Sequence, residues 1–480
     1  MKKKFITNLG LVLLLNLLIK PFWIFGIEVK VQNVVGAENY GLYFSLLSFS
    51  LIINIILDLG VTNYNNKNIS QHSQLLPKFL SNIIVLKLLL AIVYFIVSMA
   101  AAFIIGYNSI QIKLLLFLVF NQFLISFTLY LRSNLSGLQL YRTDSILSVL
   151  DKSIMIIICS LLLWGNFSDE AFQIQWFVYA QTFAYLLSTF IILLIVLTKS
   201  KFIRLRFDYN YLRVIIKQSS PFAILVLIMA TYNRIDSVLL ERLLENGKEQ
   251  AGIYAQSFRI LDAMAMFGFL FAGLLLPMFS RMIKQKENVG QLLQLSSLLI
   301  LVPAIILAIC SYFYNKEIMD LLYEEHIRNS SKIFTVLMFG FVGISTTYIF
   351  GSLLTANGSL KELNIMASIG LLINIILNII FIPKYQALGA AASSLATQLF
   401  TAIAQVLIVK MKFSFPTNFK LVFTLLFFTL TIFVFGYISK LFFTNWIYGF
   451  FTIAIFSTLL AFFTQLISIK TLIRIVKSDE

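Results

Sequence analysis

Apolar residues in this chain come in long runs separated by short polar segments. Most runs are about 20 residues long, which is what an α-helix needs to cross a ~30 Å hydrocarbon core. About fourteen spans are predicted, a number set by run length: 5–27, 40–62, 79–105, 112–135, 145–164, 174–197, 216–240, 251–279, 292–313, 334–354, 365–382, 389–409, 421–441 and 446–469. Runs this numerous must be helices, because a helix satisfies its own backbone hydrogen bonds in lipid. The polar stretches between them are too short to hold a separate soluble domain. The pattern predicts an all-α polytopic membrane protein.

Composition agrees and adds little: 59% of residues are hydrophobic and 12% charged, against about a quarter charged in soluble proteins. Cys159 and Cys310 fall inside spans and read as small apolar packing residues rather than a disulfide or zinc pair. Met1-Lys2-Lys3-Lys4 precedes a first run that is too long for a signal peptide and has no small-residue cleavage site. That run is expected to remain as the first span.

Charge sets the orientation. Lys and Arg in the loops on the N-terminal side outnumber those on the other side by more than two to one, which marks the cytoplasmic face. An even number of spans puts both termini there. The basic residues concentrate at Lys199, Lys201, Arg204, Arg206, Arg213 and Lys217, between the sixth and seventh spans. That segment reads as a topological anchor that also meets anionic headgroups of membrane lipids. The opposite loops carry acids, among them Asp169-Glu170, Glu317, Asp320, Glu324 and Glu325.

A repeat runs through the pattern. The second span opens Tyr40-Gly41-Leu42-Tyr43 and the eighth Ala251-Gly252-Ile253-Tyr254, a separation of 211 residues (252 minus 41). The fourth span ends in Leu135-Ser136-Gly137 and the tenth in Leu354-Thr355-Ala356-Asn357-Gly358, a separation of 221 (358 minus 137). The expected organisation is an N-terminal six-helix bundle over 1–198, a basic linker over 199–215, a second six-helix bundle over 216–410, and a helix pair with a tail over 411–480. Six helices per unit makes the two bundles parallel, and duplicated transporters place their substrate site between the halves and expose it alternately to each side.

Candidate chemistry lies in the cations within the spans: Lys20, Lys87, Arg132, Lys152, Arg234 and Arg259. A charge at the bilayer centre costs at least ~2.5–3.5 kcal/mol, so each needs a partner, a wet cavity or a route to the interface. Lys87, Arg132 and Lys152 are near helix ends and can either snorkel or line a cavity. Lys20 is deep in the first span and precedes Pro21, which bends a helix. Arg234 sits at a similar depth in the seventh span, so the pair is a candidate clamp for an anionic headgroup, with Lys87, Lys152 and Arg259 as further contributors. Arg259 has Asp262 three residues on, the spacing of an internal ion pair. Asp58, Asp236 and Asp262 are candidates for ion coupling or gating. Asp236 projects away from Arg234, and Asp58 also reads as an ordinary interfacial acid. Polar residues in the spans (Asn16, Asn54, Asn121, Gln122, Tyr232, Asn233) read either as contacts to sugars or as glue between helices. No metal cluster, nucleophile–base pair, Walker motif or dinucleotide fingerprint occurs, so neither an enzyme nor a cofactor is expected, nor a nucleic-acid partner.

The residues Leu354-Thr355-Ala356-Asn357-Gly358-Ser359-Leu360-Lys361, Asn374 and Asn378, Ile382-Pro383-Lys384-Tyr385 and Gly389-Ala390-Ala391-Ala392-Ser393 resemble the tenth-to-twelfth-helix pattern of polysaccharide (O-antigen type) flippases. These belong to the superfamily that also holds multidrug and toxin extruders and lipid II flippases. Asp236 followed by Gly252-Ile253-Tyr254, and Asp58-Leu59-Gly60 after Gly41-Leu42-Tyr43, fit the same family. One departure is Gln386, where a Gly is usual. The resemblance implies an extruder-like fold in a bacterial inner membrane. The implied activity is translocation of undecaprenyl-pyrophosphate-linked oligosaccharide to the periplasmic leaflet for O-antigen or other surface polysaccharide. A polysaccharide polymerase and a chain-length regulator are the implied protein partners.

Rival readings are a cation-coupled multidrug exporter, a lipid II flippase and a membrane glycosyltransferase. The exporter reading is disfavoured because the first span offers Lys20 and no acid. The glycosyltransferase reading is disfavoured because no large acidic loop is present.

Overall fold

The computed structural model describes residues 14–16, 18–72, 74, 76–165, 171–200, 209–416 and 418–467, with the backbone alone at 63, 67, 68, 71 and 209–221. The basic residues Lys2–Lys4, the core of the basic linker (201–208), the acids Asp169-Glu170 and the tail beyond 467 lie outside the described residues. Among the described residues every regular element is a helix. In chain order these are α1 (Leu14–Leu57), α2 (Val61–Gln71), α3 (Leu76–Ile105), α4 (Ser109–Gly137), α5 (Tyr141–Trp164), α6 (Ile174–Lys199), α7 (Tyr209–Leu243), α8 (Gly247–Lys284), α9 (Gly290–Leu322), α10 (Ile327–Ala356), α11 (Leu360–Phe413), α12 (Phe419–Phe442) and α13 (Trp446–Phe463). All but the polar α2 are long and apolar enough to cross a membrane, which makes 12 such helices among the described residues.

Two of these 12 are double. α1 has 44 residues, about 66 Å if straight, and its backbone breaks at Gly36 (φ 75°, ψ 167°). Trp23 and Tyr43 both touch Phe177, with ring centroids 5.7 and 5.3 Å from it. Twenty residues of straight helix would hold them ~30 Å apart, so the chain doubles back at Gly36. α11 has 54 residues and breaks at Gln386 (φ 53°, ψ −134°). There Glu362 and Lys412, fifty positions apart, pair at 2.5 Å, which requires a second hairpin. Twelve helices with two reversals give the expected fourteen spans.

The chain divides into two compact units, Met1–Ala255 and Gln256–Glu480, with the boundary inside α8. In the first unit α4 packs on α6, the second arm of α1 packs on α7, and α2 packs on the end of α4. Asn65 on α2 donates to Ser133 and Asn134 at 2.8 and 3.0 Å. In the second unit α10 packs against α9 and α11, and α12 and α13 pack on each other and on α9. α9 breaks at Tyr314 (φ −123°, ψ 28°). Lys440 Nζ donates to the neighbouring Phe313 carbonyl at 2.6 Å, which fixes the terminal helix pair to that break.

The repeat acquires a physical meaning here. A Cβ on Gly41 would run into the Lys248 carbonyl and the Gly252 amide, and a Cβ on Gly252 into the Ala37 carbonyl. The two G-x-Y motifs therefore cross each other backbone to backbone, inside the first unit, and each glycine makes room for the other. The second pair of landmarks needs a correction. α4 ends with Leu138 N–H to Asn134, Gln139 N–H to Ser136 and Leu140 N–H to Leu135. α10 ends with Asn357 N–H to Leu353, Gly358 N–H to Thr355 and Ser359 N–H to Leu354. The same cap recurs 219 residues on (357 minus 138), so Gly358 (φ 74°) corresponds to Gln139 (φ 60°) and not to Gly137. Gly137 instead gives room to Ile69 on α2.

Candidate functional site

Pro21 has no N–H to give the preceding turn, and the helix loosens into π winding over Phe22–Glu28. π turns are inserted rarely and often at functional sites. In an α-helix the side chain five residues on points about 140° away from the first. In a π turn, where hydrogen bonds span i to i+5, it returns to nearly the same face. Trp23 and Glu28 are thereby both directed inward, at 5% and 4% exposure.

Against that face lies Lys152, from the start of the second half of α5. Its ammonium sits 5.3 Å from the Trp23 ring centre and 5.1 Å from that of Tyr185. It donates to the Tyr185 hydroxyl at 3.1 Å, lies 3.7 Å from the Met155 sulfur, and is 3.6 Å from an Asp151 carboxylate oxygen. The cage is itself braced: Trp23 stacks on Phe177 with rings nearly parallel, Phe177 meets Tyr43 edge-on, and Gln181 donates to the Tyr43 hydroxyl at 2.9 Å. Lys20 is half-buried and in electrostatic range of Lys152, Asp151 and Arg132. Arg132 pairs with Asp144 at 2.7 Å, and Asn16 donates to Ser148 at 3.1 Å nearby. Glu28 acts electrostatically on Lys152, Tyr185 and Cys159. The structure thus gathers three cations (Lys20, Arg132, Lys152) and three carboxylates (Glu28, Asp144, Asp151) in one cluster of the first unit.

Lys20 and Lys152, both expected as site residues, are brought together. Arg234 is half-buried and has contacts of its own, but the charges acting on Lys20 and Lys152 do not include it. The expected Lys20–Arg234 pair is replaced by a Lys20–Lys152 pair.

Lys87 is neither snorkelling nor lining an opening. It is 1% exposed and spends its three donors on Asp58 Oδ1 (2.6 Å), the Leu57 carbonyl (2.9 Å) and Ser126 Oγ (3.0 Å). Asp58 also accepts from the Thr62 amide (3.3 Å) and hydroxyl, capping α2. Both are therefore structural: a carbonyl end of α1 and an amide end of α2 meet there and need opposite charges. Arg259 Nη1 and Asp262 Oδ2 are 3.6 Å apart, the internal pair that their i,i+3 spacing suggests. Asp236, 1% exposed, accepts from the hydroxyl of Tyr254, the tyrosine of the second G-x-Y motif, at 3.0 Å. Asn54 and Gln122 bond each other at 2.6 Å across α1 and α4, and so act as glue. Asn121 is 2% exposed with neither amide atom bonded, and Tyr232 is 1% exposed.

Glu28 is the residue that sequence reasoning missed. Hydropathy closes the first run at Ile27 and assigns the next residue to a loop. Helix in fact continues through Glu28 to the Gly36 turn, so the first span does hold an acid. A second polar cluster accompanies the glycine crossing: Arg242 lies 4.2 Å over the Tyr107 ring, 2.7 Å from a Glu241 oxygen and 3.0 Å from Gln111, which donates to Glu241 at 2.8 Å. Burial pushes the Tyr107 hydroxyl pKa up, so it stays protonated. Among the described residues no group of three or more His, Cys, Asp and Glu could hold a metal ion.

Solved structures with the same fold include a lipid II flippase, MurJ, in an inward closed conformation, at 14% identity, covering 94% of this chain and 98% of that one with a TM-score of 0.72. An inward-facing multidrug resistance MATE family transporter of the MOP superfamily matches at 15% identity, 82% and 94% coverage and a TM-score of 0.57. A MOP superfamily transporter from Pyrococcus furiosus, described as having a binding pocket of reverse polarity, matches at 14% identity, 85% and 93% coverage and a TM-score of 0.56. No curated protein matches the sequence. The family described as polysaccharide biosynthesis protein matches residues 6–283, more than half of the chain. With that match, the charged cluster in its first span and the extruder-type fold, this chain belongs to the polysaccharide biosynthesis protein family, the polysaccharide flippases of the MOP superfamily.

Proposed function

We propose that the protein carries undecaprenyl-pyrophosphate-linked oligosaccharide from the cytoplasmic to the periplasmic leaflet of a bacterial inner membrane, with both termini cytoplasmic. The product feeds O-antigen or another surface polysaccharide through a polymerase and a chain-length regulator. The observation that carries this reading is Lys152, an ammonium held between two aromatic faces with donors to spare and with Lys20 close by. A diphosphate offers acceptor oxygens that two such cations engage by charge-assisted hydrogen bonds. Rings such as Trp23 suit sugar faces as well as cations.

The polyprenyl tail has a lane to follow. Two adjoining cavities of about 580 and 370 Å³ run along α12 and α13, share Phe427, start beside Lys420 and continue past Leu430, Val434 and Phe456. A basic residue at the mouth of an apolar groove suits an anionic lipid.

Glu28 removes the argument that the first span lacks an acid, so the cation-coupled exporter reading needs a different objection. That objection is the surplus of donors on Lys152, which favours an anion. Lys87 and Arg259, each engaged by a carboxylate, are left out of the proposed clamp, and Arg234 is kept as a secondary candidate.

The experiment is Lys152→Met and Lys20→Ala, each tested for complementation of a flippase-null strain. Both are expected to insert normally, to abolish surface polysaccharide and to accumulate lipid-linked repeats on the cytoplasmic side. Normal polymer in both variants refutes the reading.

A further inference from the structure

Lys87 and Lys152 are both deep lysines, but only one is saturated. Lys87 Nζ has three oxygen acceptors between 2.6 and 3.0 Å. Lys152 Nζ has a single oxygen at hydrogen-bond distance, Tyr185 Oη at 3.1 Å, with a thioether at 3.7 Å and the Asp151 carboxylate at 3.6 Å. An ammonium in a low-dielectric seat needs a counter-charge. Asp151 supplies part of one from a half-exposed position. Glu28, at 4% exposure, is the carboxylate most removed from water in the cluster, and the π turn after Pro21 carries it round to the face of Trp23, which touches Lys152.

We infer that Glu28 is the resident counter-anion of Lys152, exchanged for the phosphate oxygens of the substrate when the headgroup binds and restored when it leaves. The inference rests on the anionic-headgroup reading of the cluster and adds a role to a residue which that reading does not require. The charge balance makes sense of it. With Lys20, Arg132 and Lys152 set against Glu28, Asp144 and Asp151, the empty site is close to neutral. Arg132 is already committed to Asp144, which leaves Lys20 and Lys152 to the ligand. A bound diphosphate attracts those two cations and repels Glu28. When Glu28 retakes Lys152, the ammonium is neutralised again, so the headgroup can depart without leaving a bare charge in the span. Glu28 is therefore a positioning residue: it acts through Lys152 and sets how tightly the anion is held.

The test uses the full-length protein in lipid nanodiscs, with farnesyl pyrophosphate as the probe and calorimetry as the readout. Wild type, Glu28→Gln, Lys152→Gln and the double variant are compared. Glu28→Gln removes a competing charge at constant shape and is expected to tighten binding by about tenfold, within the usual range of coupling between sites. Lys152→Gln weakens binding, and in the double variant the Glu28 effect disappears, because the two act as one unit. In cells Glu28→Gln lowers polymer export despite its tighter grip, since release is slowed. A side chain that only supports the fold gives the reverse pattern, weaker binding and lower export together. Glu28→Met, apolar and of similar length, checks that loss of charge and not of shape is responsible.

If neither Glu28 variant tightens binding while Lys152→Gln weakens it, the counter-anion role is overturned and the headgroup site stands. If wild type fails to bind the probe, or binds it as well without Lys152, the headgroup site falls and the inference with it.

Discussion

Replacing Lys87 by Met separates a staple from a substrate ligand. The substitution keeps most of the aliphatic stem and deletes the ammonium. Three groups lose a donor: the Asp58 carboxylate, the Leu57 carbonyl and the Ser126 hydroxyl. Breaking one side of a buried ion pair costs about 3–5 kcal/mol. The lower end applies here, since Asp58 is 29% exposed and keeps its bonds from Thr62, and Ser126 still donates to the Leu57 carbonyl at 3.1 Å. A loss of about 3 kcal/mol in a unit of this size lowers the melting temperature by on the order of 5–10 °C.

The protein carries its own reporter for this measurement. Cys159 and Cys310 are free and buried, one in each unit, so a thiol-reactive dye in a Cys310→Ala background reads the melting of the first unit alone. Adding Asp58→Asn to Lys87→Met removes the stranded charge and is expected to recover at least about 2 kcal/mol of the loss, as coupled neighbours do. The double variant should also restore polysaccharide export in a complemented strain. The reasoning is refuted if Lys87→Met melts like wild type yet abolishes export, because Lys87 would then be a ligand and not a staple.

Three further outcomes follow from the backbone and the polar cluster. Gln386 holds a φ of 53° that favours glycine, so Gln386→Gly should raise the melting temperature of the second unit, by about 1 kcal/mol if the strain is typical, as read from Cys310; a lowered temperature counts against the turn. Gly252→Ala pushes a methyl into the Ala37 carbonyl and should cost about 1–3 kcal/mol while exposing Tyr254 to solvent, measured by melting and by hydrogen exchange over 248–256. Arg242→Ala removes the guanidinium over Tyr107 and should cost about 1–2 kcal/mol with faster exchange at Tyr107; unchanged exchange counts against the stacking.

The spans were readable because an apolar run of this length has only one stable form in lipid, and the two reversals were readable as gaps between runs. The G-x-Y repeat was also visible at sequence level, but not that the two copies face each other. That depends on the Lys248 and Ala37 carbonyls, groups present at every residue. The second landmark misled for a related reason: α4 uses Gln139 at the left-handed position that Gly358 fills in α10, so matching glycine to glycine gave the wrong offset. Arg259–Asp262 could be anticipated from spacing along one helix. Lys87–Asp58 could not, because its partners lie 29 and 39 positions away. Glu28 was hidden by the hydropathy boundary, and the π winding that turns it inward has no signal beyond Pro21.

Charge alone does not sort the intramembrane lysines; the number of acceptors already in place does. Lys87 and Lys440 each reach a backbone carbonyl where a helix ends or breaks, Leu57 in one case and Phe313 in the other. Free carbonyls at such places carry partial negative charge and draw a cation whatever the protein transports. Lys152 meets no such carbonyl among its hydrogen-bond partners. Its surroundings are two aromatic faces, a phenol, a thioether and carboxylates held back from close contact. An arrangement built only for stability would close those gaps, as happens around Lys87. Leaving them open is costly for an apo site and useful for one that must accept an anion and release it, and on that ground Lys152 is placed in the transport path and Lys87 in the scaffold.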